Sequence, residues 1–220
     1  MDLTQSEENY IKAIYSLQQQ LKGAISTNDL AERMETKASS VTDMVKRLSD
    51  KNILTYVKYQ GCSLTKTGEE IALKTIRKHR LWETFLVEKL NFGWDEVHDL
   101  AEQLEHIKSQ QLTDRLDAFL NYPKFDPHGD PIPDAQGRLV KHEETCKLHE
   151  LPIHKTAVVI GVSDASPSFL RYLDSHEINI GTQLEVIEIF EFDESRRVAV
   201  NDKILSLSYA AASKITVQPK

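Results

Sequence analysis

Over residues 7–21 the apolar positions Tyr10, Ile11, Ile14, Tyr15 and Leu17 recur at three- and four-residue steps, the period of an amphipathic helix, and Gly23 closes the segment. Ser26, Thr27 and Asn28 offer N-cap oxygens for a short second helix carrying Leu30, Ala31 and Met34. Ala38, Ser39 and Ser40 open a third, with Val41, Met44, Val45 and Leu48 turned inward. The period then changes. Residues 53–59 are β-rich, Gln60-Gly61 makes a turn, and 62–64 form a second strand-like run, which together predict a hairpin.

Beyond Thr67-Gly68 a long amphipathic helix is expected to about residue 90, a second from Trp94-Asp95 through Lys108, and a third over 110–120. Pro123, Pro127, Pro131 and Pro133 then forbid any helix and mark the clearest seam. The acidic stretch to Glu150 reads as a linker or marginal helix. After Pro152 the chain turns to short β-rich runs at 156–162, 182–192, 197–201 and 203–209, interrupted by a helix from Pro167 to about Ser175, a pattern that suggests a small barrel. The expected class is mainly α with α+β parts, in four segments: 1–72, 73–140, a linker at 141–151, and 152–220.

A chain of 220 residues suits two or three small units of this kind. No apolar run approaches a membrane span, and the acidic start MDLTQSEENY lacks a secretory layout, so a cytoplasmic protein with no membrane partner is expected. Cys62 and Cys146 are isolated, which signals neither disulfide nor thiolate zinc site.

A net charge of -7 argues against nucleic acid until its distribution is considered. Residues 37–80 carry ten Lys and Arg against four Asp and Glu, a basic island in an acidic chain. Alone, such an island is as consistent with a solvated helix face. Placed in a helix, helix-turn-helix and hairpin order, it spells a winged helix-turn-helix whose second short helix enters the DNA major groove. Ser39, Ser40, Thr42 and Asp43 suit base edges and phosphates, and Lys46, Arg47, Lys51 and Lys58 suit backbone phosphates. Thr27 and Lys37, at the starts of the two short helices, complete the candidate DNA-binding set.

The helices after the hairpin carry His79, Glu83, His98, Glu102, Glu105 and His106. His79 and Glu83 are i,i+4, and His98, Glu102 and His106 are successive i,i+4 steps, so imidazoles and carboxylates share helix faces. Any single pair is satisfied by an exposed surface contact. Two neighbouring helices so equipped favour a first-row divalent ion held by nitrogen and oxygen ligands. A di-metal carboxylate enzyme needs Glu-x-x-His steps, and residue 103 is Gln; no HExxH motif is present.

With EENYIKAIY, SSVTDMVKRL, RKHRLWETFL, VHDLAEQLEH and the PHGDPIP segment, the chain resembles the diphtheria-toxin-repressor and manganese-transport-regulator group of metal-dependent repressors over nearly its whole length. That resemblance implies a metal-binding and dimerisation role for the middle helices, an SH3-like domain of FeoA type at the C-terminus, and a homodimer that represses metal-uptake genes at a palindromic operator when Mn2+ or Fe2+ binds. It implies a regulatory site at Glu102, Glu105 and His106 with a ligand from Asn9. A second site would use His79, Glu83 and His98, and further ligands would come from Asp126, His128 and Asp164. Manganese-type members carry Asp where Asn9 stands and iron-type members Met. Glu102 stands where iron-type members have Cys, which favours manganese because carboxylate is the harder ligand. The competing expectations are a metal-independent winged-helix regulator and, from another class, a di-metal enzyme.

Overall fold

The computed structural model describes residues 2–21 and 23–220, and these form two compact units. Unit 1 comprises the described residues up to His79 with Gln103–Ser109 and Pro133–Arg138; unit 2 comprises Arg80–Glu102, Gln110–Ile132 and Leu139–Lys220.

In unit 1, α1 (Gln5–Leu21) turns Tyr10, Ile11, Ala13 and Ile14 inward. Helix α2 (Thr27–Arg33) starts at a capping box: Ser26 Oγ accepts from Asp29 N at 3.1 Å and the Asp29 carboxylate accepts from Ser26 N at 3.2 Å. Helix α3 (Ala38–Asp50) buries Val41, Met44, Val45 and Leu48, the four positions its periodicity marks. The hairpin of β1 (Leu54–Val57) and β2 (Gly61–Leu64) follows in antiparallel register, Leu54 opposite Leu64 and Val57 opposite Gly61. Its first strand is shorter than expected because Tyr59 adopts φ 66, which no strand accommodates. Gly61 is required: its φ is +100, and a Cβ there would lie 2.6 Å from the Ile25 carbonyl oxygen, in the bridge between Ile25 and Cys62. Ile11, Ile14, Ile25, Leu30, Val45, Leu48 and Ile53 form the core between these elements.

Helix α4 (Lys66–Leu90) runs for 25 residues, capped by Thr65 Oγ1, which accepts from Gly68 N at 3.2 Å. The division between units falls within it, after His79. The expected helix over 94–108 is a correction: α5 spans only His98–Leu104. Its early start is prevented by other bonds. Gly93 N donates to the Glu96 carboxylate at 2.8 Å, and Trp94 Nε1 donates to both Asp174 oxygens at 3.0 Å, so the Trp94 ring lies in the unit 2 core. Helix α6 (Gln110–Phe119) ends within one residue of expectation.

The C-terminal part of unit 2 is the SH3-like sheet. Its strands are β3 (Cys146–Lys147), β4 (Thr156–Val162), β5 (Gln183–Ile189), β6 (Arg196–Val200), β7 (Lys203–Leu207) and β8 (Ile215–Pro219), ordered β3-β8-β4-β5-β6-β7 with every pair antiparallel. Register shifts in β4 between Val159 and Gly161 and in β5 between Val186 and Glu188 bend the sheet around Val159, Val186, Val198 and Ile215. Helix α7 (Pro167–Ser175) packs Leu170 and Leu173 into that core. A short α8 (Tyr209–Ala212), β8 and β3 were not expected; the last lies in the stretch read as linker, followed by a 3-10 turn at Leu148–Glu150.

Candidate metal centres and DNA-facing surface

In unit 1, helix α1 contributes Glu8, Asn9 and Lys12, α4 contributes His79, and the turn after α5 contributes Glu105 and His106. Glu105 is fully buried, a position that a carboxylate tolerates only when its charge is balanced. Its Oε2 accepts from His79 Nδ1 at 2.6 Å, and both its oxygens lie 2.8 Å from Lys12 Nζ. His106 donates from Nδ1 to Glu8 Oε2 at 2.5 Å, which leaves Nε2 as the lone-pair nitrogen, 3.9 Å from Glu105 Oε1. A carboxylate on the remote ring nitrogen is the arrangement that orients a metal-ligating histidine. Asn9 supplies the decisive observation. Its Oδ1 is buried, and among the described residues no donor reaches it. An orphaned hard acceptor on the helix that carries Glu8, in the unit where Glu105 and His106 converge, fits a divalent cation.

Unit 2 gathers Glu83 from α4 with Asp126 and His128 from the proline-rich loop, all buried and with ligand-capable atoms within 4.8 Å of one another. His128 Nε2 donates to the Trp94 carbonyl at 2.8 Å, and Nδ1 faces Glu83 Oε2 at 3.7 Å and Asp126 Oδ1 at 3.9 Å. The Trp94 ring stacks on the imidazole, 6.1 Å between centroids. Asp126 Oδ1 also accepts from His128 N and Asp130 N, so the carboxylate shapes its own loop. Exposed His98 lies 3.5 Å from Glu83 and 3.8 Å from Glu102. Asp164 is turned to Lys214 Nζ at 2.5 Å and to Ser166 N, and joins no metal-capable group among the described residues. Glu102, the last residue of its stretch of unit 2, is half-buried.

Burial, reinforced by the Glu83 charge, pushes the Asp126 carboxyl up to about 7. For His128 burial opposes the cation, but the hydrogen bond and charge of Glu83 outweigh it and raise the pKa to about 9. Both values lie above those of the unfolded chain, so each group's contribution to stability is complete below its unfolded pKa and lost as pH rises through about 7 and about 9 respectively. Melting of the metal-free protein is therefore expected to fall from about pH 4 to about pH 9, through the Asp126 transition first and the His128 transition last. Mn2+ entering this cluster must displace its protons, so calorimetric titrations at neutral pH in buffers of different ionisation heat should give different enthalpies. Identical heats would show that no proton leaves.

On α3 of unit 1, Ser39, Ser40, Asp43, Lys46 and Arg47 are exposed, as are Lys37 and Lys58; Thr27 and Thr42 are half-buried. Thr42 donates to the Ala38 carbonyl at 2.9 Å, which leaves its oxygen as an acceptor. The Lys37 side chain at the N-cap of α3 makes no capping hydrogen bond, so the first turn can offer backbone donors to a phosphate. Tyr59 at the hairpin tip is 93% exposed and stands beside Lys58, a candidate contact group that the sequence pattern did not single out. Glu8 and Lys12 also escaped notice, since an acidic first turn and a lysine on a helix are ordinary features. The Trp94 carbonyl has no sequence signal at all.

Three family descriptions match the chain in succession: iron dependent repressor, N-terminal DNA binding domain, over residues 2–62; iron dependent repressor, metal binding and dimerisation domain, over 65–134; and FeoA domain, over 146–219. The iron-dependent repressor IdeR of Mycobacterium leprae is 34% identical over 132 residues, which is 60% of this chain but only 57% of that protein's length. The HTH-type transcriptional regulator MntR of Oceanobacillus iheyensis is 37% identical over 123 residues, 56% of this chain and 82% of its own. Among solved structures, a manganese-dependent transcriptional repressor in complex with manganese superimposes with a TM-score of 0.84 at 36% identity, covering 97% of this chain and all of the other.

Proposed function

Since this chain belongs to the iron-dependent repressor family, we propose that it is a transcriptional repressor, not an enzyme, that binds DNA as a homodimer under control of a divalent cation. The observation that carries this reading is the orphaned Asn9 Oδ1 on α1, in the same unit as buried Glu105 and His106. Asn9, Glu105 and His106 would hold the ion in unit 1, and Glu83, Asp126 and His128 would hold another in unit 2. Oxygen and imidazole donors without thiolate favour manganese over softer ions, with ferrous iron the alternative. The solved structure named as a manganese-dependent repressor supports that preference, and the curated relative named as an iron-dependent repressor keeps iron as the alternative.

When bound, the cation would supply positive charge to the donor atoms of Asn9, Glu105 and His106. Glu8 holds the His106 ring with Nε2 turned towards Glu105, and α1 carries Asn9 in the same rigid turn as Glu8. Helix α1 also packs in the core that positions α3, so its placement bears on how α3 is presented. The exposed Ser39, Ser40, Asp43, Lys46 and Arg47 would meet base edges and phosphates, with two copies reading a palindrome. Among the described residues no helix is long and apolar enough to cross a membrane, and we place the protein in the cytoplasm.

The test is DNA binding at one fixed salt concentration, using a duplex selected from random sequence in the presence of Mn2+. Chelation is expected to weaken binding by about 100-fold, a shift of roughly 2.7 kcal/mol, and Mn2+ to restore it. Equal affinity with and without metal would overturn the proposal.

A further inference from the structure

Lys12 follows Glu8 by one turn of α1, so its side chain leaves the helix on the face that meets Glu105. Its ammonium lies 2.8 Å from each Glu105 oxygen, with the lysine side chain 18% exposed and the carboxylate not at all. A carboxylate gripped through both oxygens presents the bite that it would offer to a divalent cation. Half-buried Lys78 adds to the positive potential: desolvation lowers its pKa, against the pull of Glu8 and Glu105.

We propose that Lys12 is the resident cation of the unit 1 cluster, so that metal uptake there is an exchange of an ammonium for a divalent ion. This rests on the assignment of Asn9, Glu105 and His106 as ligands. Glu105 needs a positive partner at all times because it is sealed from water. Without metal, the ammonium meets that need and keeps α1 tied to Glu105, so the cluster persists. With metal, Lys12 must release at least one Glu105 oxygen, and its charge still repels the incoming ion. Both effects act in one direction: Lys12 weakens metal binding and sets the concentration at which the site fills. An ordinary structural ion pair predicts otherwise, since its removal lowers stability and leaves metal affinity alone.

The experiment titrates Mn2+ into the metal-free full chain, reading free ion by electron paramagnetic resonance, and records melting of the same metal-free samples. Wild type, Lys12→Met, Lys12→Gln, Lys12→Arg and His106→Ala are compared. The unit 1 site is identified as the class of bound Mn2+ that His106→Ala removes. Lys12→Met is expected to tighten that class by about tenfold or more while the metal-free protein melts lower. Lys12→Gln gives the same result should the Met variant fold poorly, and charge-conserving Lys12→Arg stays within about threefold of wild type. Wild-type affinity in both neutral variants overturns the exchange and leaves a structural tie. If instead His106→Ala removes no class of bound Mn2+, the ligand assignment fails, and the exchange falls with it for that separate and recognisable reason.

Discussion

His106→Ala is expected to leave the chain folded while reducing metal-dependent DNA affinity by about 100-fold, the larger part of what chelation removes. The imidazole links two carboxylates: Nδ1 donates to Glu8 and Nε2 faces Glu105. Its loss would remove a proposed ligand and also leave Glu8 without that donor. The cost to stability is about 1–3 kcal/mol, because Glu8 is buried but the apolar core around Ile11, Val45 and Leu48 is untouched. Circular dichroism melting with and without Mn2+, beside fluorescence anisotropy on DNA, separates the two effects. A variant that melts like wild type and keeps its full response to Mn2+ would place the regulatory site elsewhere.

Gly129→Ala is expected to have the largest effect on unit 2. The residue has φ +86, and an added Cβ would stand 2.0 Å from the Ile160 carbonyl oxygen and 2.5 Å from Gly161 Cα. Neither atom can withdraw easily, because β4 is paired on one side to β5 and on the other to β8. Strain from the left-handed backbone alone costs about 1–2 kcal/mol, and the backbone collision should bring the total to roughly 4 kcal/mol. Gly181→Ala is the control. Its φ is +91 but nothing lies within 4 Å of the new methyl, so only the strain remains. Urea unfolding of both variants measures the difference, and equal losses would mean that the approach of Gly129 to β4 does not matter. Since Asp126 and His128 adjoin Gly129, the first variant should also lose the unit 2 class of bound Mn2+, and the second should keep it.

The parts of the fold that were legible in sequence are those in which local chemistry and tertiary packing agree. Ser166-Pro167 starts α7 because proline at the first helical position has no amide hydrogen to leave unsatisfied. Val41, Met44, Val45 and Leu48 repeat at helical spacing and are buried together. Helix α5 was misjudged because nothing local records that Trp94 is engaged by Asp174 and His128. Strand β3 is only two residues long and exists through its pairing to β8, seventy residues away in round terms, beyond any periodicity signal. The candidate ligands were visible as residue types and only in part as sets. Spacing carries no sign that His79 bonds to Glu105 within unit 1, or that Glu83 gathers with Asp126 and His128 within unit 2. Neither Glu8 nor Lys12 differs in sequence from a solvated helix residue; only burial gives them meaning.

The seating of the proline-rich loop on β4 has a kinetic corollary. Val162 N donates to the His128 carbonyl at 2.9 Å, and Gly129 fits against Ile160 and Gly161, so the loop that brings His128 to Glu83 is templated by a strand translated well after it. That strand is itself paired between β5 and β8. The cluster in unit 2 is therefore expected to assemble in the late, non-local phase of folding, where loop-closure entropy must be met before any contact rewards it. A nascent chain that still lacks its final strand has the residues of this cluster but not the surface that assembles them. Ion capture there would report a finished C-terminal domain.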